Sequence, residues 1–100
     1  MKTLIAAIVL AIFATTAQAS EHCTQVNDIA WEVVTARQNG VSAQKLMEMA
    51  EGNRAVQGMI KEAYASPRYS TAEFQKRAAD EMANTWYMAC LSVEERRDSR

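Results

Sequence analysis

The chain has two cysteines, Cys23 and Cys90, and a bond between them would close most of the polypeptide into one loop. Whether it forms depends on the compartment, and the amino terminus speaks to that. Lys2 supplies a positive n-region, Leu4 to Ala14 an apolar h-region, and Ala17-Gln18-Ala19 a small-x-small cleavage site, the three parts of a secretory signal peptide. Spanning a bilayer takes about 20 apolar residues, more than this h-region holds. Residues 1–19 are therefore expected to be removed as a signal peptide, with no stable membrane anchor left behind. The chain from Ser20 onward enters an oxidising space, periplasmic or extracellular, where Cys23 and Cys90 are expected to pair. A domain this small buries too little apolar surface to be comfortable without a staple. Closing a loop of about 70 residues contributes roughly 4 kcal/mol on the chain-entropy model, close to the whole stability of such a domain.

Charge narrows the partners. Twelve acidic side chains stand against eleven basic ones, and one of the latter, Lys2, leaves with the signal peptide. The signs are mixed along the chain, so neither a nucleic-acid footprint nor a polybasic lipid-binding run is present. A lipobox requires small apolar residues before its cysteine, and Glu21-His22 before Cys23 do not fit one.

The remainder reads as all-α, a small four-helix, disulfide-closed bundle. It has one proline and three glycines, and no alternating β-branched run. The first helix spans about Glu21 to Gln38, with Val26, Ile29, Ala30, Val33 and Val34 on one stripe and Trp31 off it. Asn39-Gly40 ends it, glycine taking the left-handed conformation of a C′ position. Ser42 caps a short second helix, with Val41 and Leu46 as a hydrophobic staple; Leu46, Met49 and Ala50 face inward, and Gly52 closes it. Asn53 caps a third helix whose apolar face is Val56, Met59, Ile60, Ala63 and Tyr64, and Pro67 stops it. Ser70-Thr71-Ala72-Glu73 reads as a capping box for the fourth, flanked by a Tyr69–Phe74 staple. There Phe74, Ala78, Ala79, Met82, Ala83, Trp86 and Cys90 are expected to form the core sector, opposite Glu73, Arg77 and Glu81. Domain limits follow: residues 1–19 the signal peptide, 20–93 the helical domain, 94–100 a charged tail expected to fray. The disulfide makes the first and fourth helices antiparallel neighbours.

Chemistry is sparse, and no enzymatic activity or cofactor is expected. His22 is the single histidine, its neighbour Cys23 is committed to the disulfide, and no phosphate-binding loop or Cys-x-x-Cys is present. The carboxylate pairs Asp80-Glu81 and Glu94-Glu95 read as solvated charge. One set has coordination chemistry. Cleavage after Ala19 exposes Ser20-Glu21-His22, whose α-amine, two deprotonated amides and imidazole make the square-planar four-nitrogen set that Cu(II) and Ni(II) favour. Methionines 47, 49, 59, 82 and 88 offer thioethers, although at core spacing methionine is ordinary gap-filler. This is the secondary reading. The primary one is a partner-binding surface. Tyr87, Met88 and Leu91 fall outside the core sector of the fourth helix and Trp31 outside that of the first, a composition suited to protein recognition.

Arg37-Gln38-Asn39-Gly40-Val41-Ser42, Met47-Glu48-Met49, Ala63-Tyr64, Pro67-Arg68-Tyr69 and the closing Trp86-Tyr87 with Cys90 together resemble a group of small exported helical proteins encoded in phages, prophages and bacterial chromosomes. The resemblance covers most of the chain after the signal peptide and rests on turns, caps and cysteines, so it implies a fold and carries over no catalytic residue. A looser, architectural likeness is to exported immunity proteins and acid-stress chaperones.

Overall fold

The computed structural model describes residues 21–98, all of whose regular structure is helical. Four helices follow in order: α1 (residues 21–38), α2 (Ala43–Met49), α3 (Arg54–Ala65) and α4 (Ala72–Asp98). Residues 1–20, which hold the expected signal peptide and Ser20, lie outside the described residues.

Local chemistry sets most of the helix ends. Gly40 and Gly52 adopt φ of 85° and 83°, which a side chain would oppose. The Ser42 hydroxyl accepts from the Lys45 amide at 3.2 Å, and the Asn53 side chain accepts from the Val56 amide at 3.1 Å. The α4 cap differs from the expected box. Thr71, not Ser70, accepts from the Phe74 amide at 3.3 Å, and its carbonyl takes the first helical bond from Gln75 at 3.0 Å. Either residue is a competent cap, and a contact from α1 selects between them: the Tyr69 amide is held by the Gln38 side chain at 2.8 Å, while Gln75 Nε2 donates to the Tyr69 carbonyl at 2.7 Å. At its other end α4 continues through Asp98 where fraying was expected; Arg96 and Arg97 in the last turn complement the negative end of the helix dipole.

Cys23 and Cys90 are joined, with their Cα atoms 5.5 Å apart, so α1 and α4 lie side by side and antiparallel. The core brings together Ala30, Val33 and Val34 of α1, Ala50 after α2, Met59, Ile60 and Ala63 of α3, and Ala79 and Ala83 of α4. Thus α4 contributes alanines to the fully buried layer, and its larger residues Met82 and Trp86 sit at the margin. Small side chains there let the helices approach closely, which leaves no room for bulk on the innermost face. Phe74, expected in the core, is 47% exposed and packs on the surface against the Tyr69 ring, centroids 6.2 Å apart, with the Arg77 guanidinium over its face. Met49 is likewise solvent-facing at 78% exposure, and Met47 packs inward in its place. In a seven-residue helix both 46-47-50 and 46-49-50 are acceptable stripes, and packing against the core takes the first.

One polar junction locks the far end of the bundle. Gln38 is the polar residue buried among the described ones, 3% exposed. Its Nε2 donates to the Pro67 carbonyl at 3.1 Å while its Oε1 receives the Tyr69 amide. Arg68 returns across the loop, donating to the Gln38 carbonyl through Nε and Nη2 at 3.3 and 3.1 Å, and Arg37 donates to the Ser66 carbonyl. The Tyr64 hydroxyl donates to the Val41 carbonyl, with the Arg37 guanidinium 4.9 Å from its ring centroid. The Arg37-Gln38-Asn39-Gly40 and Pro67-Arg68-Tyr69 segments are therefore two halves of one hydrogen-bonded clamp between the α1 terminus and the α3–α4 loop.

Candidate partner-binding surface on the α1–α4 seam

Two tryptophans mark the two flanks of α4. Helical spacing places Asp80, Asn84, Tyr87 and Leu91 along one flank and Met82, Trp86, Ala89 and Val93 along the other, on either side of the inward Ala79-Ala83-Cys90 row. On the first flank the Trp31 indole N–H donates to Asp80 Oδ1 at 3.0 Å. On the second, the Trp86 indole N–H donates to Glu62 Oε2 of α3, also at 3.0 Å, with its ring over Gly58. Each seam is thus fastened by an indole bonded to a carboxylate across it.

Trp31 remains 38% exposed while fixed in orientation. Asp80 is also bound from its own helix by the Lys76 ammonium at 2.9 Å. The hydrogen bond from that ammonium holds the Asp80 carboxyl below the usual carboxylate range; desolvation opposes it, and the Trp31 indole and the Lys76 charge add smaller lowering effects. Further along the flank, Tyr87 and Leu91 are half-buried, and Met88, turned beyond that flank toward solvent, is 53% exposed. Met88 lies eight residues from Asp80, about 12 Å along the helix. The four side chains singled out from the sequence accordingly form a strip with Trp31 at one end, not a tight cluster.

Two other features escaped sequence reading. An apolar groove of about 360 Å³ opens between α1, α2 and α3, lined by Ile29, Val33, Leu46, Met49, Val56 and Ile60. At the disulfide end, ligand atoms of His22, Cys90 and Glu94 all lie within 4.8 Å of one another. The four-residue spacing of Cys90 and Glu94 was a visible signal for the second; the approach of His22 from α1 was not. The Ser20-Glu21-His22 set is not placed as a whole, because Ser20 falls outside the described residues. Glu21 and His22 are helical, so gathering their amides into a metal plane would cost the first turn.

In comparisons with known proteins, no family model, curated sequence or solved structure matches this chain. Among the described residues no helix is long and apolar enough to cross a membrane.

Proposed function

We propose that this protein is exported and acts by binding another envelope or secreted macromolecule, with the strip from Trp31 through Tyr87 and Met88 to Leu91 as its recognition surface. The observation that carries the reading is Trp31, an aromatic side chain left over one-third exposed while its indole N–H is bonded to Asp80 across the seam. A pre-oriented indole loses little freedom on binding, and tryptophan is enriched among the residues that dominate interface energetics. Met88, on the solvent face of α4 next to Tyr87, extends the surface with an adaptable apolar side chain. The resemblance to phage- and prophage-encoded exported proteins directs the search toward phage-linked or toxin-linked envelope partners.

The test is capture of a partner from envelope extracts by the processed protein, followed by titration with that partner once purified. Trp31→Ala and Met88→Ala are expected to weaken binding at least tenfold while the fold persists by circular dichroism. Lys61→Ala, an exposed change on α3, serves as the control. Full binding by both folded variants would place recognition elsewhere on the molecule.

A further inference from the structure

We infer that the disulfide end of the bundle is a redox-gated metal site: reduction of Cys23–Cys90 frees two thiolates that, with His22 and Glu94, bind one Zn(II) and replace the covalent link between α1 and α4 with a metal link. Donor identity and position carry the inference. His22 and Cys23 come from α1, Cys90 and Glu94 from consecutive turns of α4, and the His22, Cys90 and Glu94 ligand atoms already lie within 4.8 Å of one another. Cys23, bonded to Cys90 in the oxidised protein and fully buried, is not within that mutual 4.8 Å set and becomes the fourth donor only by turning toward the other three once the disulfide opens.

Zinc takes four ligands in a tetrahedron, with bonds that set neighbouring donors about 3.3–3.8 Å apart. The sulfurs therefore need to separate once unbonded, and the imidazole and carboxylate to close in by about 1 Å. His22 is exposed and Glu94 half-exposed, so both can make that movement by side-chain rotation. Two thiolates and a carboxylate around Zn(II) leave a net charge of −1. Arg97, one turn beyond Glu94, lines the same groove and offsets it. While the sulfurs are bonded to each other neither is a thiolate, and His22 with Glu94 alone makes a weak site.

The chemistry balances with a dithiol reductant. Its two thiols pass two electrons and two protons to the disulfide, giving Cys23 and Cys90 thiols and the oxidised reductant. Zn(II) then displaces both thiol protons to solvent as the two Zn–S bonds form.

The test uses the processed, disulfide-bonded protein and Co(II) as a spectroscopic stand-in for zinc. The oxidised protein is expected to give neither thiolate-to-Co(II) charge transfer nor tetrahedral d–d bands. After phosphine reduction and anaerobic removal of the reductant, both should appear at one Co(II) per chain and vanish on addition of Zn(II). His22→Ala and Glu94→Gln should each weaken Co(II) binding by at least about tenfold. Zinc should raise the melting temperature of the reduced protein and leave that of the oxidised protein unchanged. If reduction unfolds the chain, refolding by zinc supports the site, and failure of zinc to refold it overturns the inference. Equal binding by the oxidised protein, or unchanged affinity in both variants, would also overturn it.

Discussion

Gln38 and Asp80 show how single polar side chains organise an otherwise apolar bundle. Gln38 uses the donor and the acceptor of its amide on the α3–α4 loop, so replacing it removes partners from two backbone groups at once. Gln38→Ala is expected to cost about 1–3 kcal/mol, read from the denaturant midpoint, because the loop groups regain water incompletely. Asp80 offers a pH-resolved test. Its carboxyl ionises more readily in the folded chain than in the unfolded one, through Lys76 first and then Trp31. Its stabilising contribution is therefore complete above the ordinary carboxylate value and is lost as pH falls through the depressed folded value. The Asp80 carboxyl followed by NMR should titrate below the ordinary aspartate value. Lys76→Ala should move it up more than Trp31→Phe does.

At the scale of elements, α1 to α4 begin and end where short-range chemistry allows, and tertiary contacts choose among the allowed positions. The start of α4 is the clearest case, since Ser70 and Thr71 could each cap it and the Gln38–Tyr69 bond decides for Thr71. Thr71→Ala should cost about 1 kcal/mol, while Ser70→Ala should change the denaturation midpoint little. The reverse order would return the helix start to Ser70. The interior of α4 carries the same lesson. Its wide apolar sector from Phe74 to Cys90 was visible in the sequence, but which residues in it are buried depends on how near α1 and α3 approach. The answer is alanines at the centre, an indole at the flank and Phe74 outside.

For the whole molecule, the Cys23–Cys90 bond spans 67 residues and holds together the first and last helices, which have no other covalent constraint. Reduction in the presence of a chelator should lower stability by up to about 4 kcal/mol in denaturant titration. Substantially less would mean that the Gln38 clamp, at the opposite end of the α1–α4 pair, already fixes that pair. Adding zinc in place of the chelator separates this stability effect from the metal site inferred above.

What the sequence determined by itself is local in physics. A serine or asparagine hydroxyl or amide three residues ahead of an amide, a glycine free to adopt positive φ and a proline without a donor act within a few residues. Four helices could therefore be placed from residue order, and the two cysteines could be paired from compartment chemistry. What only the tertiary structure decided involves groups far apart in the chain. Gln38 meeting Pro67 and Tyr69, Trp31 meeting Asp80, and His22 meeting Glu94 depend on the relative rotation and tilt of separate helices. So does the choice of Met47 over Met49, because a 3.6-residue repeat defines a sector on each helix, and only close packing against neighbours selects the buried line within it.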